Sequence, residues 1–192
     1  LGDFDYIIVG GGSSGATLAG RLTADPSVKV LLLEAGPSDG SLKIKVPLGY
    51  GSLFYDQKFN WKYETEPEPE LKGRRMYWPR GKVLGGSSAI NAMVYVRGHP
   101  NDYEEWADVA PSWNWSNVEP YFKKIESWKG EDSPVRGKSG PVGVSNVEND
   151  VHPLTNKYLE AGQELGFPYN RDYNGNHMEG VAVYQTTTSN GL

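Results

Sequence analysis

The sequence predicts an α/β fold that opens on a parallel βαβ unit, and three observations predict it. Phe4-Asp5-Tyr6-Ile7-Ile8-Val9 is a short apolar run rich in β-branched residues, which reads as a strand. Gly10-Gly11-Gly12-Ser13-Ser14-Gly15 follows, and Ala16 to Leu22 then carries apolar residues at helical spacing. Val28-Lys29-Val30-Leu31-Leu32-Leu33 is a second apolar run, and it ends in Glu34. The order is strand, glycine turn, helix, strand, acid.

Each part has a physical reason. Gly10 permits the tight turn out of the strand. Gly12 has no Cβ, so a diphosphate can approach the main chain, and Gly15 lets the helix pack close to the strand. The helix start offers unpaired N–H groups and the positive end of its dipole to the phosphates. Glu34 lies 19 residues after Gly15, where a carboxylate accepts hydrogen bonds from a ribose diol. A glycine turn alone is weak evidence. The complete strand–helix–strand–acid context makes it a dinucleotide site.

Composition narrows the class. At 192 residues, the chain can bury one sizeable core, or one domain and part of another. A hydrophobic fraction of 38% with 22% charged residues is that of a globular protein. The net charge of −5 provides no basic face for nucleic acid. No run approaches the roughly 18 apolar residues that span a bilayer. Cysteine is absent, so neither disulfides nor thiol chemistry contribute. The expected location is cytoplasmic, with removal of a leader ahead of Leu1 as the alternative. No metal site is expected. Glu64, Glu66, Glu68 and Glu70 alternate through a Pro-containing stretch with no His or Asp to complete a ligand set, and read as a solvated loop.

Beyond Glu34 the regular βαβ pattern stops. Pro47, Gly49, Gly51, Pro67 and Pro69 interrupt residues 41–80, where Phe59 to Tyr63 reads as a short strand. A second glycine-rich segment then runs from Pro79 to Gly98, with Gly81, Gly85, Gly86, Ser87 and Ser88 ahead of an apolar stretch. Such a segment lets main chain pass close to a flat ligand. Asp102 to Trp106 reads as a short helix. Ser116 and Glu119 read as a capping box for a helix with Val118, Tyr121, Phe122 and Ile125 on one face. Gly130 to Gly140 reads as a protease-sensitive linker, and Pro141 to Ser145 as a strand. A helix is expected from about Pro153 to Leu165, with Pro153 at its first position, Gly166 as its stop, and an apolar face of Leu154, Tyr158, Leu159 and Leu165. Asn170 to Gly180 reads as loop and Val181 to Thr188 as β-prone, before Ser189 to Leu192.

The residues Gly81, Lys82, Leu84, Gly85, Gly86, Ser87, Ser88, Ile90, Asn91, Tyr95, Gly98 and Glu104 stand at the spacing of a signature of the glucose–methanol–choline (GMC) oxidoreductase family, which this chain resembles over essentially its whole length. The turn at Gly140-Pro141-Val142 and the stretch Tyr173-Asn174-Gly175 are most similar to the choline dehydrogenase and alcohol dehydrogenase members. The resemblance implies a Rossmann-like, discontinuous FAD-binding domain over residues 1–150, and the start of an α+β substrate domain over 151–192. It implies FAD rather than NAD, with Gly10, Gly12, Ser13, Ser14 and Gly15 at the diphosphate and Glu34 and Ala35 at the adenosine ribose. Arg80, Val83, Gly85, Gly86, Ser87, Asn91, Ala92, Met93 and Val94 fall on the side of the flavin. Ile90 occupies the place where some relatives attach FAD through a His, so the flavin is expected to be non-covalent.

The implied reaction is oxidation of a small-molecule alcohol: a base takes the hydroxyl proton and hydride passes to flavin N5. Of the three histidines, His99 reads as a solvated turn residue, with approach to the substrate entrance as the alternative, and His152 and His177 read as structural or surface residues. Family members place the catalytic His near the carboxyl terminus, so no catalytic residue is expected here. The remainder of the protein is the expected partner, either as continuing sequence or as a separate chain. The alternatives are an FAD-containing lyase or photodecarboxylase of the same family, and a cofactor-binding fragment that complements a partner chain.

Overall fold

The computed structural model describes residues 2–188. Leu1 and the terminal Ser189 to Leu192 lie outside them. The chain divides into two compact units, one ending at Ala92 and the other beginning at Met93.

In the first unit, β1 (Tyr6–Val9) pairs in parallel with β2 (Val30–Leu33), in register from Tyr6 opposite Val30 to Val9 opposite Leu33. Parallel strands need a crossover, and α1 (Ser13–Leu22) supplies it. Ile8 is buried, whereas Ile7 is 62% and Val9 83% exposed, so β1 covers one face only. Two short helices follow, α2 (Leu42–Lys45) and α3 (Tyr50–Leu53), linked through a 3-10 turn at Pro47–Gly49. Leu53, Phe59, Val83 and Ile90 form the buried core of this unit, with Ile44 and Ala89 against it.

A two-stranded antiparallel ribbon joins β3 (Tyr63–Glu64) to β4 (Tyr77–Trp78). The strand expected at Phe59 to Tyr63 therefore begins only at its last residue. Asn60 is the reason. Its side chain is buried, Oδ1 accepts the N–H groups of Lys62 (2.9 Å) and Arg80 (3.0 Å), and Nδ2 donates to the Phe54 carbonyl (2.8 Å). A side chain that takes up local main-chain groups competes with a strand ladder. Glu64, Glu66, Glu68 and Glu70 are exposed.

The second unit contains α4 (Pro100–Ala107), α5 (Trp115–Ile125), β5 (Glu126–Trp128), β6 (Val142–Asn146), α6 (Pro153–Glu164) and β7 (Gln185–Thr186). β5 and β6 run parallel, and β7 is antiparallel to β6 on its other side. This unit runs across the boundary expected near residue 150: Ser145 and Asn146 pair with Thr186 and Gln185.

Several local expectations are corrected. The cap of α5 is Asn114 rather than Ser116. The Asn114 Oδ1 accepts the Asn117 N–H at 3.0 Å, and the Ser116 hydroxyl donates to that same oxygen at 2.8 Å. His99 is not a free turn residue. It caps α4, its Nδ1 accepting the Asn101 N–H at 3.1 Å while Asp102 accepts the His99 N–H at 3.0 Å. His152 caps α6 in the same way through the Leu154 N–H at 3.2 Å. On α6, Leu159 alone of the expected apolar face is buried; Leu154, Tyr158 and Leu165 are exposed. The β-prone run Val181 to Thr188 contributes only Gln185–Thr186 as strand.

The linker expected between Gly130 and Gly140 is instead pinned. Arg136, in its middle, is fully buried with its guanidinium 3.9 Å over the Trp128 ring. It donates to both oxygens of the buried Glu126, with Nη2 to Oε1 at 2.6 Å, and pairs with Asp172. Arg97 reaches Glu126 Oε2 at 2.7 Å, and so does the Gly137 N–H. Burial pushes the Glu126 carboxyl up. The bonds from Arg136 and Gly137, together with the charge of Arg97, outweigh this and hold it below the usual carboxylate range.

Candidate nucleotide-binding site

The site is built where two glycine segments meet within the first unit. Gly10 leaves β1 with φ at +99°, and its N–H donates to the Leu33 carbonyl at 2.7 Å, which ties the turn to β2. A Cβ on Gly15 would fall 1.9 Å from the Gly10 carbonyl oxygen, so only glycine lets α1 start this close to the strand. No side chain caps α1, and its first turn carries no acid. Its leading N–H groups and its positive dipole end therefore have no side-chain cap.

The second segment lies main chain to main chain against the first. The Gly85 N–H donates to the Gly11 carbonyl at 2.8 Å, and Gly12 and Gly85 form a parallel bridge. Gly86 has φ at +60°, and a Cβ there would stand 2.8 Å from the Gly12 Cα. The Ser13 hydroxyl donates to the Ser88 hydroxyl at 3.0 Å.

Glu34 closes the end of β2. Its Oε2 accepts the Gly11 N–H at 2.7 Å and its Oε1 the Gly36 N–H at 2.8 Å. Each oxygen keeps a second lone pair. The carboxylate thus holds the glycine turn in place, a role that the sequence reading did not assign to it.

A cleft of about 650 Å³ is lined by Gly10, Gly12, Glu34, Ala35, Arg80, Gly86 and Ser87, among others. A second of about 530 Å³ extends over Ser13, Ser14 and Gly15, and the two share Val9, Gly10, Gly12 and Ser87. Most residues that the sequence assigns to the diphosphate, the ribose and the second glycine segment are therefore brought together. Val83 is not at the cleft; its side chain is fully buried in the core. Asn91 and Ala92 end the first unit and are exposed. Met93 and Val94 open the second unit. Met93 adopts φ +60°, and Val94 borders an apolar hollow of about 690 Å³ formed within that unit.

Sequence reasoning missed Trp61 and Tyr63, which line the larger cleft with rings stacked 5.8 Å apart. The Lys82 ammonium sits 4.8 Å over Trp61. It also missed Gly36, where a Cβ would fall 2.0 Å from the Lys82 carbonyl oxygen. The signal was present as a glycine two residues beyond the ribose acid.

Main-chain donors without side chains over them, beside a carboxylate at the end of β2, fit a ligand with a diphosphate and a ribose. Fold and cleft together define a Rossmann-like nucleotide-binding α/β protein.

Comparison with known proteins then identifies the family. The family model for GMC oxidoreductases matches residues 4–191, and the chain belongs to that family. It is 46% identical over 190 residues to an alcohol dehydrogenase [acceptor] of Pseudomonas putida, covering 98% of this chain and 34% of the relative. It is 45% identical over 197 residues to the mitochondrial choline dehydrogenase of Homo sapiens, covering 98% and 33%. Among solved structures, pyridoxine 4-oxidase from Mesorbium loti superposes with a TM-score of 0.91 at 36% identity, covering 98% of this chain and 37% of that one. Formate oxidase from Aspergillus oryzae RIB40 gives 0.85 at 30% identity, covering 97% and 34%. The chain spans about a third of the length of the curated relatives it matches. No helix among the described residues is long and apolar enough to cross a membrane.

Proposed function

We propose that this chain forms the FAD-holding, amino-terminal part of an enzyme that oxidises a small-molecule alcohol. The observation that carries the reading is the contact of the two glycine segments under Glu34, which leaves bare main-chain donors facing one cleft. In it, the first N–H groups of α1 with Ser13 and Ser14 hold the diphosphate. Glu34 keeps the Gly11 turn in shape and offers its remaining lone pairs to the ribose. Arg80 lines the same cleft, its guanidinium 5.0 Å over the Trp78 ring. When bound, FAD supplies the hydride acceptor for the alcohol carbon.

Two further observations bear on how the flavin and the catalytic base are supplied. Ile90 is buried in the core with Leu53, Phe59 and Val83, and the sequence contains no cysteine, which supports a flavin held without a covalent bond. His99 and His152 engage Nδ1 in helix caps, which supports a catalytic base supplied by the rest of the protein.

The test uses the whole protein. Its spectrum is expected to carry flavin bands that bleach on anaerobic addition of an alcohol substrate, with all the yellow colour released by acid precipitation. Glu34→Ala is expected to weaken FAD binding by about tenfold or more, the worth of one hydrogen bond to a charged group. A spectrum without flavin bands would sink the proposal.

A further inference from the structure

We infer that Asn174 and Gln185 are positioning residues for the main chain of Met93 to Arg97, setting the conformation in which that segment meets its ligand. The inference rests on the reading of Met93 and Val94 as flavin-side residues.

The geometry lies entirely within the second unit. Met93 is one of three described non-glycine residues with positive φ, a conformation that costs an L-residue about 1 kcal/mol or more unless its neighbours hold it. β7 and the residue after it hold this one. The Thr187 N–H donates to the Met93 carbonyl at 2.8 Å, with the Thr187 hydroxyl on the same oxygen at 3.3 Å. The Tyr95 N–H donates to the Gln185 carbonyl at 2.9 Å.

Asn174 completes the clamp from the other side. Its Nδ2 donates to the Tyr95 carbonyl at 3.0 Å, and its Oδ1 accepts the Arg97 N–H at 2.7 Å. One side-chain amide thus satisfies two alternate residues of the segment, as a neighbouring strand would. The Tyr173 hydroxyl adds a bond to the Tyr95 carbonyl at 2.9 Å and accepts the Gln185 N–H at 2.7 Å.

The clamp is itself locked. Gln185 Oε1 accepts from Asn174 Nδ2 at 2.8 Å and from Arg136 Nη1 at 3.0 Å, and its Nε2 donates to Asp172 at 2.9 Å. Asn174 and Gln185 are 2% and 1% exposed, so neither amide has water as a substitute partner. The buried Glu126–Arg136 pair therefore orients Gln185, Gln185 orients Asn174, and Asn174 orients the segment. The Tyr173-Asn174 pair, singled out in the sequence without a role, acquires one here.

The experiment compares the whole flavin-loaded protein with Asn174→Ala and with Val144→Ala, a fully buried residue of the same unit outside the clamp. The readouts are the visible flavin spectrum, the two-electron reduction potential and thermal stability. Asn174→Ala is expected to shift the spectrum and to make reduction about tenfold less favourable, which is about 30 mV for a two-electron couple. Val144→Ala is expected to lower thermal stability and leave spectrum and potential unchanged. Should Asn174→Ala not fold, Thr187→Val, which deletes one hydroxyl bond to Met93, is expected to move both in the same direction by less. Flavin present but unmoved in the clamp variants, or moved equally by Val144→Ala, overturns the inference and leaves the functional reading standing. A wild-type protein without flavin overturns both.

Discussion

Gly15 and Gly20 sit on the same helix and predict opposite outcomes for the same change. In an unconstrained helix, Gly→Ala is stabilising by about 1 kcal/mol, because glycine loses more backbone entropy on folding. Gly20 has nothing within 4 Å of a built Cβ, so Gly20→Ala should show that gain. At Gly15 the new Cβ would lie 1.9 Å from the Gly10 carbonyl oxygen, 3.1 Å from its carbon and 3.2 Å from the Ile8 Cγ2. Two of these atoms are main chain of the turn, so α1 and the turn must part by about 1 Å. Overpacking of that kind costs about 1–3 kcal/mol, more than the entropy gain, and it opens the cradle as well. The two variants are thus expected to differ by about 1–3 kcal/mol, the overpacking cost alone, in urea unfolding of the flavin-free protein. Gly15→Ala should in addition bind FAD at least tenfold more weakly, while Gly20→Ala binds it normally. Equal stability and equal FAD affinity in the two variants would refute the close packing of α1 on the first glycine turn.

Three further outcomes follow from the second unit. Arg136→Met leaves Glu126 and Asp172 facing a lost charge in a buried site, and is expected to destabilise by about 3–5 kcal/mol; a loss under 1 kcal/mol in urea unfolding would contradict the pinned loop. Glu126 has its carboxyl lowered in the folded state, so its contribution is present above its unfolded value, near pH 4.3, and is lost as pH falls through the folded value. The stability gap between wild type and Glu126→Gln should therefore narrow below about pH 4, and a gap independent of pH would exclude the ion pair as its source. Asn114→Ala should cost about 1 kcal/mol, as loss of a helix cap does, and Ser116→Ala clearly less; the reverse order would restore the Ser116 cap.

The parts of the fold that were legible in sequence are those decided by neighbours along the chain. The βαβ start depends on apolar periodicity and on glycines at fixed offsets, and β1, α1 and β2 lie within a few residues of their expected positions. Pro153 and Gly166 bracket α6 because a missing N–H and a positive φ are local properties. Expectations went astray where a polar side chain took partners that neither composition nor periodicity marks. Asn60 was assigned to a strand, but its amide is taken by Phe54, Lys62 and Arg80. The Gly130 to Gly140 stretch has the composition of a linker, yet Arg136 binds Glu126 ten residues back and Asp172 thirty-six residues on. Trp61 and Tyr63 read only as part of a short strand, because nothing in their own neighbourhood marks them as part of the cleft.

By itself, the sequence determined that this chain carries a dinucleotide cradle: a glycine turn, a helix start and an acid operate through main-chain geometry that a short stretch specifies. Only the tertiary structure decided that the second glycine segment lies against the first, that Glu34 grips the turn through Gly11 and Gly36, and that a buried ionic cluster braces the segment from Met93 to Arg97. Those contacts join residues as many as 79 positions apart, and long-range hydrogen bonds between buried groups leave no periodic trace in the sequence.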